Sequence, residues 1–377
     1  MAAPSVAASQ RLSVNANGYR LPAEWEPHAG TLLAWPVNRA DWPGKFPPIP
    51  WVFAEIVRAL AASEPVHLLI PSRAEQPRIA GMLERAHVDL ARVQFVPARL
   101  DRGWMRDCSP AFVVRPDPPR AEKSSARQRS DQADATVAAV HFAFNAWAKY
   151  PNWRWDAKVP TLLARRLKVP VFKAMSGRRH VVLEGGAIDT NGAGTLLTTE
   201  ECLLDANTQT RNPGFSRAEY EQVFQEHLGI RKVLWLGDGI AGDDTHGHVD
   251  DLARFVNTTT IVLCSETNPR DANFKPLAEN RERLTHAVDA DGRKLTTVPL
   301  PMPEPLYFNG VRLPASYANF YIANERVLVP TFNDPSDWQA LGILAELFPR
   351  RTVVGIHAVD LVWGLGTIHC LTHELPQ

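Results

Sequence analysis

GTLLAW at residues 30–35, WVFAEIVRALAA at 51–62, VHLLI at 66–70, EQPRIAGMLERA at 75–86 and VQFV at 93–96 follow one another in a single stretch. The first, third and fifth are short apolar runs rich in branched side chains, the pattern of buried strands. The second places Val52, Ile56 and Leu60 on one helical face, with Pro50 just ahead of its start. The fourth is a second helix. Strand, helix, strand, helix, strand predicts an α/β fold.

The same alternation continues outward. Strand-like runs at 112–115 and 137–142 flank PDPPRAEKSSARQRSDQADA (116–135), which is polar, charged and almost free of large apolar residues. That composition predicts a hairpin with a surface loop inserted at its tip. Asn191-Gly192 between two β-like runs predicts another hairpin. Ser216 and Glu219 form a capping box for a helix that ends at Gly229 and buries Tyr220, Val223, Phe224 and Leu228. Strands are expected at 232–236, 258–264 and 352–356, and a helix at 340–348. No strict repeat period is visible in the letters. Residues 1–18, MAAPSVAASQRLSVNANG, predict a disordered arm without the apolar core of a secretory signal. Residues 19–377 are then one domain.

Composition narrows the function classes. Lys+Arg and Asp+Glu balance at 41 each, which argues against nucleic acid as the main partner. No apolar run approaches the ~20 residues that span a bilayer, so no membrane partner is expected. Four dispersed cysteines, without a CxxC pair, suit reduced thiols and a cytoplasmic protein.

Five segments combine titratable residues with turn formers: WMRD (104–107), EGG (184–186), GDDTHGHVDD (242–251), NFY (319–321) and GLGTIHCLT (364–372). Reactive groups favour such loops. Cys370 is either an inert buried thiol or a nucleophile, and a nucleophile needs a histidine partner, for which His248 and His369 are the candidates. His248 and Asp250 share a face if their segment is a strand. The alternatives for that segment are a solvated acidic turn or a metal site built on His246, His248 and Asp250. Asp107 and Glu184 are carboxylates beside apolar strands, which need a partner if buried; Arg106 or Arg179 would serve.

Taken together, LPAEWEPHAGTLLAWP (21–36), WMRDCSPAFVV (104–114), FNAWAKYPNW (144–153), LEGGAIDTNGAGTLLTTEECLL (183–204), GHVDD (247–251), ASYANFY (315–321) and IHCLTHELP (368–376) resemble the agmatine deiminase family, which includes the bacterial-type peptidylarginine deiminases. The resemblance implies a five-bladed α/β propeller, or pentein, of ββαβ modules around a central site. It implies Cys370 as nucleophile, His248 as general acid/base, Glu184 as the residue orienting His248, and Asp107 with Asp250 as a clamp on a guanidinium. No metal or organic cofactor is called for. The implied reaction hydrolyses agmatine to N-carbamoylputrescine and ammonia through a covalent thiouronium on Cys370. The alternatives are peptidyl-arginine or another guanidine as substrate, and, more distantly, a metal-dependent hydrolase. Trp104 is expected to cover the substrate stem, Asp243 or Asp244 to meet its far ammonium, and Asn319 to contact it. Homodimer formation stays open. The chain departs from the family at Ser109, His246, Leu365, Thr367 and His373-Glu374, which implies altered walls at the distal end of the pocket.

Overall fold

The computed structural model describes residues 14, 17–116 and 136–377. The expected arm at 1–18 and loop at 116–135 fall almost wholly outside these residues, although Val14 is buried beside Tyr19 in the second of two apolar clusters.

Five sheets repeat one pattern: an antiparallel strand pair, a helix, then a strand returning parallel to the second. Ala111–Val114 pairs antiparallel with Val137–His141; helix Val159–Leu167 leads to the parallel strand Val171–Lys173. Asp189–Thr190, Thr195–Thr199, helix Arg217–Leu228 and Lys232–Leu236 repeat it. So do Ala253–Asn257, Thr260–Ser265, helix Phe274–Leu284 and Thr296–Pro301. The fourth copy is Tyr321–Ile322, Arg326–Thr331, helix Ser336–Leu347 and Thr352–His357.

The fifth copy is split between the two ends of the chain. Its first strand is Thr372–Pro376, paired antiparallel with His28–Ala34; helix Ile49–Ala61 then returns to the parallel strand Val66–Ile70. Helix Gln76–Arg85 and strand Val93–Pro97 add an outer strand to this sheet alone. Five ββαβ modules make the α/β pentein, closed where Leu32 pairs with His373. Cys370 lies two residues before the closing strand, so ring closure positions it.

The elements form for local reasons. Helix Ile49–Ala61 has proline in its first turn, where no N–H is needed, and buries Ile49, Phe53, Ile56, Val57 and Leu60. Removing five such side chains from water is worth on the order of 10 kcal/mol before chain entropy is counted. Strand Val66–Ile70 is buried at every position, as a parallel strand covered on both faces should be. The Ser216–Glu219 capping box and the left-handed Gly229 are both present. Among the described residues, no helix is long and apolar enough to cross a membrane.

Candidate active site

Each module delivers its loop residue at the same place, just ahead of its first strand. Asp107 precedes Ala111, Glu184 precedes Asp189, Asp250 precedes Ala253, Asn319 precedes Tyr321 and Cys370 precedes Thr372. The pseudo-fivefold repeat therefore gathers five polar side chains from distant segments onto one axis. The local backbone is helical at three of them: Met105–Cys108, Val249–Asp251 and Ile368–Leu371. His248 and Asp250 meet on one side, yet the reason is a tight 3-10 turn and not the alternation of a strand.

The pocket holds about 660 Å³ and is lined by Asp41, Arg102, Trp104, Asp107, Trp147, Tyr150, Asp244, Thr245, Trp363, Leu365 and Cys370 among others. At its floor, Asn319 Nδ2 donates to Cys370 Sγ at 3.1 Å. The sulfur lies 3.8 Å from Asp250 Oδ2. His248 Nδ1 stands 3.9 Å from Asp107 Oδ1 and 3.9 Å from Asp250 Oδ1, and Nε2 stands 3.7 Å from Glu184 Oε2. These separations exceed hydrogen-bond length, so the carboxylates act on His248 through charge. Gly186 is required here: a methyl group on it would sit 2.5 Å from His248 Nδ1 and 3.0 Å from both Asp107 Oδ1 and Asp250 Oδ2.

Chain neighbours point to opposite sides of this layer. Asp107 and Cys370 line the pocket, whereas Arg106, Gly185 and His369 line a second cavity together with Ser109, His373 and Glu374.

Burial and repulsion set the protonation states. Asp107 is pushed up to about 6, first by burial and then by Asp250 and Glu184, against the pull of His248. It keeps two donors, Trp147 Nε1 at 2.8 Å and the Gly186 amide at 3.0 Å. Burial pushes the Cys370 thiol well above the ordinary range, and Asp250, Asp251 and Asp107 push it further. Burial alone would lower His248, but Asp107 and the other surrounding groups hold it well above the ordinary histidine value. Burial would raise Asp250, yet its hydrogen bond with His369 at 2.7 Å keeps it low. Glu184 is likewise held down, by Arg211 at 3.2 Å. Both shifts favour the protonated forms, a thiol at Cys370 and an imidazolium at His248.

The structure brings Cys370, His248, Glu184, Asp107 and Asp250 together and corrects several other expectations. Asn319 is fully buried and spends its amide hydrogens on Asp251 Oδ1 at 2.9 Å and Cys370 Sγ, leaving no donor for a substrate. It positions the Cys370 thiol. Glu184 pairs with Arg211, not Arg179, and Arg106 pairs with Glu24 and Glu374, not Asp107. The His246, His248, Asp250 metal set does not assemble, because His246 Nε2 turns to Asp205 at 2.9 Å. Trp104 does line the pocket, stacked on Trp42 at 5.6 Å. Asp244 also lines it, but holds Lys149 Nζ and the Tyr150 hydroxyl, each at 2.6 Å. Ser109, His373 and Glu374 face the second cavity, so these departures leave the pocket walls alone. Thr367 Oγ1 donates to Asn319 Oδ1 at 2.7 Å and so fixes the amide that holds the Cys370 thiol.

Trp147, Arg211, Glu24 and Asp41 went unforeseen, and His369 was read only as a candidate partner for Cys370. Trp147 sits in a run of three left-handed residues, Ala146, Trp147 and Ala148, with φ of 51°, 57° and 53°. Each costs roughly 1–2 kcal/mol, and the Asp107 hydrogen bond lies at the end of that strained turn. His369 spans Asp250 and Glu24 with two 2.7 Å contacts. Asp41 lines the pocket with one buried oxygen that has no hydrogen-bond partner among the described residues; burial, opposed by Arg102, raises it to about 7.

A family model described as Porphyromonas-type peptidyl-arginine deiminase matches residues 20–376. A Yersinia pestis protein named "Putative agmatine deiminase" is 33% identical over 383 residues, covering 96% of both chains. The structure of an Enterococcus faecalis agmatine deiminase superposes with a TM-score of 0.83 at 28% identity, covering 100% of each chain. That of a Porphyromonas gingivalis protein described as "Putative Arginine Deiminase" superposes with a TM-score of 0.79 at 34% identity, covering 95% of this chain and 98% of that one.

Proposed function

Because this chain belongs to the Porphyromonas-type peptidyl-arginine deiminase family, we propose that it hydrolyses a terminal guanidinium, with agmatine as the preferred substrate and Cys370 as nucleophile. The observation that carries this reading is the convergence of a thiol, an imidazole and three carboxylates in one buried layer.

A guanidinium is planar, cationic and deactivated toward attack by water. Asp107 and Asp250 would grip it by charge-assisted hydrogen bonds and hold its carbon over the Cys370 sulfur. Its positive charge offsets the carboxylates that keep the thiol protonated, so the thiolate forms only in the complex, with its proton released to solvent. The sulfur attacks carbon, the imidazolium of His248 gives its proton to the departing nitrogen, and ammonia leaves a covalent thiouronium. His248, now neutral, takes a proton from water. The hydroxyl oxygen bonds to the same carbon, the C–S bond breaks, the departing sulfur takes up the hydroxyl proton to restore the thiol, and a neutral ureido product departs.

Agmatine carries a second cation on an apolar stem. Trp104, Trp147, Tyr150 and Trp363 provide aromatic walls for the stem. Asp41 and Asp244 supply acid near the mouth, and Asp244 already accepts an ammonium from Lys149, which a substrate amine would displace. Free arginine would bring a carboxylate against these acids. The test is a ureido assay over agmatine, free arginine, a blocked arginine peptide and methylated guanidines. Agmatine should lead by kcat/KM, and Asp244→Asn should erode that lead more than it slows a short guanidine without an amine. Equal or better turnover of arginine or the peptide overturns the agmatine assignment and leaves the Cys370 chemistry standing.

A further inference from the structure

Cys202 takes no part in the chemistry above, yet it stands against it. It sits on the short helix Glu200–Leu204, capped by Thr199, whose hydroxyl also donates to the Gly247 carbonyl beside His248. One ligand atom each from Glu184, Cys202 and His248 lies within 4.8 Å of the others. All three residues are buried, and neither His248 ring nitrogen has a hydrogen-bond partner among the described residues. An imidazole nitrogen, a thiol sulfur and a carboxylate oxygen in one pocket are the donor types that Zn²⁺ prefers. Tetrahedral coordination at zinc bond lengths needs ligand atoms roughly 3.3–3.6 Å apart. The 3.7 Å between His248 Nε2 and Glu184 Oε2 is already close to that.

We propose that Glu184, Cys202 and His248 form a binding site for a thiophilic divalent cation such as Zn²⁺, and that occupancy stops turnover. The Cys202 thiol and the His248 imidazolium each release one proton to solvent, so the ion is held by thiolate, neutral imidazole and carboxylate; a water completes the fourth position. Arg211, 3.2 Å from Glu184, opposes the ion. The new thiolate, together with Asp107 and Asp250 on the far side of the ring, outweighs it. An imidazole held to metal through one nitrogen keeps its other N–H and no longer cycles a proton at neutral pH. The binding claim stands on geometry alone, while the loss of turnover rests on the acid/base role given to His248 above.

The test titrates metal-free protein with Co²⁺, a spectroscopic substitute for Zn²⁺, and reads thiolate-to-cobalt charge-transfer absorption. Zn²⁺ inhibition of the wild type is measured in parallel. The band should appear in the wild type and in Cys370→Ser, and should vanish in Cys202→Ser. Whatever rate Cys202→Ser retains should need ~100-fold or more Zn²⁺ to inhibit. Should Cys202→Ser fail to fold by circular dichroism, Cys202→Ala and Glu184→Gln replace it. No band in the wild type overturns the site. A band lost in Cys370→Ser and kept in Cys202→Ser also overturns it, placing the ion on the neighbouring Asp250, Asp251 and Cys370 cluster. A Cys202-dependent band without inhibition supports the site and instead refutes the role of His248.

Discussion

Asp107→Asn separates what this carboxylate costs the fold from what it gives the reaction. Its folded-state value is about 6 against an ordinary 3.8, so roughly two units, or about 3 kcal/mol, disfavour the charged form in the folded protein. A carboxyl raised on folding contributes stability that is fully present below its unfolded value and is lost as pH rises through the folded one. Linkage places about 2 of those 3 kcal/mol between pH 4 and pH 8. Asparagine does not titrate, so the wild type should lose about 2 kcal/mol against the variant across that window. A second effect opposes this one. Asparagine has a single acceptor oxygen for two donors, Trp147 Nε1 and the Gly186 amide, and one unmade bond costs about 1–3 kcal/mol at any pH. Absolute stability is therefore not diagnostic, and the slope is. Urea unfolding of both proteins at four pH values gives it, while kcat/KM should fall by 3–5 kcal/mol, on the order of 10²–10⁴-fold, as when half of a buried charge pair is removed. Stability curves parallel within ~0.5 kcal/mol, or a near-normal kcat/KM, would refute the reasoning.

Three further outcomes follow from the same geometry. Cys370→Ala and His248→Ala should each abolish ureido formation while substrate still protects the fold in a thermal shift; turnover by the cysteine variant would sink the covalent route. Gly186→Ala should leave a folded protein with no measurable activity, since its methyl group would occupy the space between His248, Asp107 and Asp250; a normal rate would mean the catalytic layer is differently arranged. Iodoacetamide should label Cys370 slowly at neutral pH, with the rate rising only above the ordinary thiol range near 9.0, read by mass spectrometry of the C-terminal peptide. A midpoint near neutrality would show that the free thiol is already activated.

The strands and helices whose periodicity lies within one segment were legible in the letters. Strands at 66–70 and 232–236 stand where expected, and helix Ser336–Leu347 begins only four residues before the expected 340. Helices Val159–Leu167 and Phe274–Leu284 were missed, because both bury only a narrow stripe among charged residues. The fivefold repeat is invisible as a period because modules differ in length and the fifth is cut between Thr372–Pro376 and His28–Ala34. At the site, the five residues proposed as catalytic came from motif resemblance, and their convergence needed the structure. Arg211 and Arg254 carry no local signal at all, since their partners Glu184, Glu24 and Asp189 are remote in sequence. Asn319 was placed on the wrong partner because nothing in ASYANFY distinguishes an amide facing substrate from one facing sulfur.

The charge balance of the layer accounts for the direction of the proposed reaction. Three buried carboxylates, Asp107, Glu184 and Asp250, surround His248; Arg211 pairs with Glu184 and His369 hydrogen-bonds Asp250, while Asp107 has only the neutral donors Trp147 and Gly186. The free protein meets this surplus of negative charge by protonating where it can: at His248, at the Cys370 thiol, and partly at Asp107 near pH 6. An arriving guanidinium supplies the missing cation, so binding and thiol activation are one event. Hydrolysis then converts that cation into a neutral urea, and the clamp that gripped the substrate has no charge to hold in the product. The same electrostatics that admit the substrate thus favour release at the end of the cycle. A neutral ureido compound of identical stem should accordingly bind far more weakly than its guanidino parent to the Cys370→Ala protein, and comparable affinities would remove charge complementarity as the origin of both steps.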